Sequence, residues 1–325
     1  MAHELDFSLG YPAMAYRASD QTPWHGFGST LADDATLEEW IIAAGLNWKV
    51  VKKGLYVQRV DNNAATFYNM LTGRVALVRD DTDDVLHIAS MKYQPVQPRE
   101  VVMFFDRLIK EMGFTMNTMG ALMDGKRVWA LAKTGKGIGL TDQDFVETYL
   151  LLATSYDGQL ATTARFTSVR VVCNNTLELS YSRKDGRVVS IPHSTEFNAD
   201  KVYRDLGLSE SQNSFASDMD KFATRGMSKR QVIEFYIELL GLEDEEGKVK
   251  PTPTLNTLVN SYEHGPGQGL STTKDTLWGV VNGVTYFADH IRNARSRQNR
   301  LNSAWFGDSE KLKHKAYDMA KDLVA

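Results

Sequence analysis

The sequence predicts an α+β fold in which an antiparallel β-rich core is followed by a mainly helical C-terminal half. Two observations carry this. Between residues 47 and 195, short apolar runs rich in Val, Ile and aromatic residues are separated by Asp-Gly and Gly-rich turns. From about residue 199 the apolar residues recur at helical spacing instead. The change divides the chain into a β-rich α+β core with an N-terminal arm over 1–198 and a helical region packed on it over 199–325.

The elements follow in order. Residues 1–30 are broken by Gly10, Pro12, Pro23, Gly26 and Gly28 and read as an irregular arm. Thr36 and Glu39 form a capping box for a short helix with Leu37, Trp40 and Ile41 on its apolar stripe, and Gly45 ends it. A hairpin is expected over 48–60, with its turn at Lys53-Gly54. The acidic turn Arg79–Asp84 precedes a short strand at Val85–Ala89. Pro98 opens a helix carrying Val101, Phe104, Phe105, Leu108 and Met112, and Gly113 closes it. Strands are expected at Arg127–Lys133, Glu147–Thr154, Leu160–Cys173 and Arg187–Ile191. Helices are expected at 211–224, 229–240, 253–263, 273–298 and 309–323, with the acidic run Glu243–Glu246 as a linker.

Composition limits the function. The 325 residues carry 37 basic and 41 acidic side chains, a formal net charge of −4, which argues against a wholesale polyanion binder but leaves room for a local basic groove. One cysteine, Cys173, cannot form an internal disulfide and points to a reducing compartment. No signal peptide is visible, and the apolar runs fall far short of the roughly 18 residues that suggest a membrane span. A cytoplasmic location without membrane association is expected.

Four constellations bear on chemistry. In a strand, Arg127, Trp129, Leu131 and Lys133 share one face and Val128, Ala130 and Ala132 the other, with Lys136 on the following Gly-rich turn. Two cations around an indole suit a nucleic-acid backbone and a stacked base. The alternative is a core tryptophan with solubilising cations. Arg165 and Arg170 lie five apart, so a straight strand projects them from opposite faces and one is expected to be buried and paired or re-aimed by a bulge; a buried arginine needs an acid, backbone carbonyls or a phosphate. Their alternative is a structural salt bridge with Asp157 or Glu147. Cys173 with His193 could pair a nucleophile with a base, but no third group orients them, and His25 stands alone. No catalytic residue, metal ligand set or cofactor is expected, and Asp80–Asp84 lacks the glycine and distal glutamate of a calcium loop. Last, Leu277, Val281, Val284, Ala288 and Ile291 form a packing seam. It leads into Arg292, Arg295, Arg297, Arg300, Lys311, Lys313 and Lys315, seven cations against Asp308 and Glu310 over residues 290–315. Interleaved with Trp305 and Phe306, this tract suits nucleic acid, or else simply complements helix dipoles.

Several of these strings resemble the phage/plasmid-like proteins grouped as domain of unknown function 932. They are Thr22-Pro-Trp-His-Gly-Phe-Gly28, Asp157-Gly158, Val169-Arg-Val-Val-Cys-Asn-Asn-Thr-Leu177, His193-Ser-Thr195, Thr276–His290 and Leu301–Gly307. Pro192 and Ser194 depart from the family's pattern, which puts any role of His193 in doubt. The resemblance implies an origin among phages and mobile plasmids, beside replication and recombination genes, and a relation to oligomeric single-strand annealing proteins that need no nucleotide hydrolysis. The expected function is therefore single-stranded DNA binding and annealing by a homo-oligomer. Its contacts would be Arg127, Trp129, Lys133, Lys136, Arg165 and Arg170, with Arg292, Arg295, Arg297 and Arg300 as a second tract. The alternative is a factor that binds a host defence or replication protein.

Overall fold

The computed structural model describes residues 5–20, 27–60, 66–170, 175–178, 188–206, 210–244, 248–292, 303–304 and 306–325. Two sheets lie in the N-terminal part. The larger runs β10-β9-β8-β7-β6-β1-β2, and β11 shares β9's outer edge with β10. Its strands are β1 (Met14–Arg17), β2 (Ser29–Leu31), β6 (Thr115–Leu122), β7 (Arg127–Thr141), β8 (Asp144–Ser155), β9 (Thr162–Arg170), β10 (Asn175–Glu178) and β11 (Val188–Ile191). Every pairing is antiparallel except β1 with β2. The smaller sheet has the order β3-β4-β5, from β3 (Val50–Val60), β4 (Thr66–Arg79) and β5 (Val85–Ser90).

The helices are α1 (Leu37–Ala43), α2 (Pro98–Met112), α3 (Ala199–Asp205), α4 (Glu210–Thr224), α5 (Lys229–Leu240), α6 (Pro253–His264), α7 (Leu277–Tyr286) and α8 (Asp308–Asp322). The chain is thus α+β, with strands mainly in its first half and helices in its second. None of the described helices is long and apolar enough to cross a membrane.

Local chemistry sets the helix ends. The Thr36 hydroxyl accepts from the Glu39 N–H at 3.3 Å, and Glu39 returns a bond to the Thr36 N–H at 2.7 Å. Pro98 starts α2 at a position where the missing N–H costs nothing, and Gly113 stops it at φ +70°, a left-handed conformation that a β-carbon would strain. Ser228 and Gly241 bracket α5 in the same way. The stripe of α2 buries Val101, Val102, Phe104, Phe105 and Leu108, each contributing about 1.5–3 kcal/mol of apolar burial.

One hydrophobic core holds both halves of the chain together. Val128, Ala130 and Ala132 of β7 enter it with Phe105 of α2, Phe215 and Phe222 of α4, Trp278 and Val281 of α7, and Tyr317 of α8. Helix α7 is buried from Leu277 through Thr285, so its seam serves packing within the chain. A buried carboxylate joins the halves as well: Asp144 of β8 accepts from the Thr272 hydroxyl at 2.5 Å and the Trp278 indole N–H at 3.2 Å.

Two expectations are corrected. The 48–60 hairpin with a turn at Lys53-Gly54 does not form, because 50–60 is one strand and Gly54 lies inside it; its partner is β4. The helix expected over 273–298 begins only at Leu277, where Thr276 caps it, and it passes at Phe287–Ile291 into a π-helical turn.

Candidate nucleic-acid interface

Strand β7 carries the first predicted contacts. Its alternation does place Trp129 and Leu131 on the face opposite Val128, Ala130 and Ala132. That face is not open. Trp129 is 1% exposed, packed with Leu5, Met14, Leu122, Tyr149 and Leu151 in a second small core that Phe7, Phe27 and Phe306 help to close. The cations beside it are neutralised. Arg127 is buried, with Nη2 3.3 Å from the Asp157 carboxylate and 3.0 Å from Gln159 Oε1. Lys133 Nζ lies 2.6 Å from Asp20 and 3.2 Å from Glu147. Burial acts to lower the Lys133 pKa, but the two carboxylates outweigh it and hold the ammonium above its ordinary range. Arg165 is also buried, 3.5 Å from Glu310 and stacked 5.3 Å from the centre of the Phe306 ring. Asp157 and Glu147 thus serve Arg127 and Lys133, and Arg165 takes a glutamate from α8. Lys136 sits in the bulged part of β7, and Arg170 pairs through its backbone with Val146 and Asn175. The side chains of both lie outside the described residues.

The C-terminal tract is divided. Arg295, Arg297, Arg300 and Trp305 lie outside the described residues, as do Cys173 and His25. Arg292 ends the π turn and is half-buried. Lys313 is buried, its Nζ 2.7 Å from Asp289. Lys315 donates to the Glu238 and Leu239 carbonyls at the end of α5, at 3.1 and 2.7 Å. Lys311 is 3.5 Å from Asp308. Lys313 and Lys315 thus fasten α8 to its surroundings, while the Lys311 pair lies within α8 itself.

His193 stacks on Tyr93 at 4.5 Å between ring centres, with Nε2 2.9 Å from the Leu160 carbonyl. Burial lowers its pKa, so the ring is neutral at pH 7. No group of three or more His, Cys, Asp or Glu is placed to hold a metal among the described residues.

The open basic and aromatic surface lies elsewhere, on β3 and β4. At their root the two strands join β5, and the structure grips them firmly. Arg79 is fully buried, 2.5 Å from Asp6 and 2.8 Å from Asp81, with its guanidinium 4.4 Å from the centre of the Trp48 ring. The Gln97 side chain pairs with both the N–H and C=O of Val50, at 2.8 and 3.1 Å. Beyond the root, register jumps from Gly54↔Val75 to Tyr56↔Met70, so Leu71–Arg74 bulge opposite Leu55 alone. Gly73 permits this with φ +81°.

Past the bulge the sheet narrows to a two-stranded ribbon, 56–60 against 66–70, in which every residue is exposed. Cross-strand partners share a face. One face therefore carries Tyr56, Met70, Gln58, Tyr68 and Val60, and the other Val57, Asn69, Arg59 and Phe67. Tyr56, Phe67 and Tyr68 are 62%, 52% and 67% exposed. Neither β3 nor β4 contains an acid, whereas together they hold Lys52, Lys53, Arg59, Arg74 and Arg79. Lys53 is answered by Asp83 at 2.5 Å. Sequence reasoning passed over this region as part of a hairpin. The signal it contained was a run of acid-free strand sequence with aromatics interleaved among cations.

No curated protein and no solved structure matches the chain. The family described as domain of unknown function (DUF932) matches residues 85–305, from the start of β5 to just before α8 and more than half of the chain, with the ribbon lying before the matched region. The chain belongs to the DUF932 family.

Proposed function

We propose that this protein binds single-stranded DNA in phage or plasmid DNA handling, and that the β3–β4 ribbon is the surface that holds the strand. The observation that carries this reading is the ribbon itself: two exposed strands with Arg59, three open aromatic rings and no carboxylate in either strand, and with exposed Lys52 and Arg74 nearer the root. A ribbon of this kind has no partner of its own to bury its rings, and an isolated two-stranded hairpin is marginally stable in water. Exposed apolar surface concentrated in one place marks an interaction site. Unpaired bases can stack on Tyr56, Phe67 and Tyr68, while Lys52, Arg59 and Arg74 neutralise phosphates. In a duplex the bases are already stacked on one another, so rings on both ribbon faces favour the single strand.

Fluorescence anisotropy with a labelled oligo(dT) and a duplex of equal length, across a salt series, tests the reading. The expected result is tighter single-strand binding that weakens steeply with salt and is reduced by the Tyr56→Ala/Tyr68→Ala pair. Absence of single-strand binding at low salt by folded protein, or binding unchanged in the double variant, overturns it. One further observation favours a second reading. Val57, Val60, Met70 and Leu71 are exposed on the same ribbon, which suits a protein partner. That reading expects a complex with a host protein that survives nuclease treatment and is lost in Val57→Asp/Met70→Asp.

A further inference from the structure

The two faces of the smaller sheet differ in what covers them. At its root, alternation puts Leu77 on one face with Val75 and Ala89, and Leu77 and Ala89 belong to the main core. The opposite, outer face carries Val51, Val78 and Val85 in one row and Lys53, Ala76 and Ile88 in the next. The bulge lies in β4, so β3 keeps its alternation past it. The outer face therefore runs on through Leu55 to the ribbon, where Val57 lies beside Asn69 and Arg59 beside Phe67.

An antiparallel sheet with one face on the core and the other in water ordinarily alternates apolar with polar residues. This outer face breaks that rule. Val57, Val85 and Ile88 are 46%, 58% and 50% exposed, and the Phe67 ring stands open beyond them. From Val51 to Arg59 the stripe is about 26 Å long, at about 3.3 Å per residue. Aliphatic side chains give a base nothing to stack on, so the stripe fits a protein surface.

Charge is unevenly placed along it. At the root end, the turn between β4 and β5 holds the exposed Asp80, Asp83 and Asp84, and Asp83 pairs with Lys53 of the outer face at 2.5 Å. At the far end stands Arg59, in a ribbon whose strands contain no acid. An acidic partner is repelled at one end and a basic partner at the other. A surface with acid at one end and a cation at the other is complementary to its own copy turned about a two-fold axis.

We infer that the outer face of β3–β5 is a homodimer interface whose two-fold axis passes near Leu55. That axis sets Val85 against the partner subunit's Phe67, Ile88 against the partner's Val57, and Asp83 beside the partner's Arg59. The interface covers Phe67 and Arg59, so a second copy and a DNA strand compete for this face, while Tyr56 and Tyr68 stay open on the other. The competition rests on the ribbon's binding single-stranded DNA; the interface does not.

Sedimentation velocity of the DNA-free full chain over a concentration series decides it. Wild type is expected to pass from monomer to dimer as concentration rises. Val85→Lys/Ile88→Lys places two charges in the interface from exposed positions outside the ribbon. It is expected to weaken the dimer about tenfold or more, with oligo(dT) affinity kept or tightened. Two charge reversals test the axis. Asp83→Asn/Asp84→Lys reverses the turn, the asparagine suiting the left-handed backbone at Asp83 (φ +60°), and Arg59→Asp reverses the far end. Each alone is expected to weaken self-association about tenfold or more, and an equimolar mixture of the two to recover it, because every charge then faces its opposite. A wild type monomeric throughout overturns the assignment. So does self-association unchanged in folded Val85→Lys/Ile88→Lys or in either reversal, or a mixture no tighter than its components. If Val85→Lys/Ile88→Lys does not fold, the reversals, at exposed positions, decide alone. A monomeric wild type that binds oligo(dT) removes the interface and keeps the ribbon's role; a dimer that binds no oligo(dT) does the reverse.

Discussion

Two surfaces of this protein combine cations with aromatic rings, and they differ in what faces the charge. On the large sheet, Arg127, Lys133 and Arg165 each meet a carboxylate, and Trp129 is buried beneath the N-terminal segment. On the ribbon, Arg59 and Arg74 lie in strands without an acid, and Tyr56, Phe67 and Tyr68 stand in solvent. Both regions interleave cations with aromatic residues, but only the large sheet has acids in its strands, among them Asp144 and Glu147 of β8. On the large sheet, tertiary partners such as Asp20 and Glu310 complete the neutralisation. The buried set is expected to govern stability and the exposed set to govern binding.

The sharpest break between them is expected at the ribbon's root, where one cation is buried. Asp6→Ala leaves Arg79 without its innermost carboxylate, and removing one partner of such a pair costs about 3–5 kcal/mol. Urea unfolding followed by circular dichroism measures it. A loss under 1 kcal/mol would mean that Asp81 and Trp48 suffice. Trp129→Ala is expected to cost a similar ~3–5 kcal/mol, as truncation of a buried tryptophan does. The same melts on Tyr68→Ala should move stability by no more than about 0.5 kcal/mol, because the ring is exposed.

Binding should reverse that ranking. Tyr68→Ala is expected to weaken single-strand affinity by about 1–3 kcal/mol, the value of one stacked base, while Lys133→Ala leaves it unchanged. Equal losses in the two variants would erase the distinction drawn here. The triple variant Lys52→Ala/Arg59→Ala/Arg74→Ala should flatten the logarithmic salt slope by about 2, from three lost phosphate contacts at roughly 0.7 each.

The smallest effect concerns pH. His193 has a folded pKa below its unfolded value of about 6.5, so its contribution is complete above that value. It is lost as pH falls from there through the lowered folded pKa. Wild type should therefore lose stability on acidification in that window relative to His193→Phe, which keeps the stack on Tyr93 without the titration. Parallel pH profiles for the two proteins would remove His193 from the account.

Much of the architecture is legible in the sequence wherever the cause is local. Thr36 with Glu39, Ser228, Gly113 and Gly241 mark helix ends because caps and left-handed glycines act on neighbouring residues. The two faces of β7 are readable because strand alternation is local too. Its apolar face is in the main core as expected. What alternation cannot disclose is the cover on the other face, which comes from Leu5, Phe27 and Phe306 at opposite ends of the chain. Asp20, one of the two acids that answer Lys133, and Glu310, which answers Arg165, are distant in the same way. The ribbon was hidden for a different reason. Lys53-Gly54 has the composition of a turn, yet Gly54 lies inside β3, paired with Val75, and the bulge beside it belongs to β4, which the chain reaches only further along. The end of α7 was overextended because apolar periodicity continues to Ile291 while the backbone has already widened into the π turn.

The placement of the first residues has a consequence for the order of folding. Residues 5–15 are the first made of those described, yet their partners arrive much later: Arg79 for Asp6, Leu122 for Leu5, and Gly120 and Met119 for β1. Loop closure over such separations is slow, and β1 is an inner strand of the sheet. On the ribosome, β6 and β7 can pair as a hairpin before β1 finds its register, so the N-terminal segment would close over Trp129 as a late step. Until then Trp129 and the neighbouring β8 face would be bare, and apolar surface left open in this way favours aggregation.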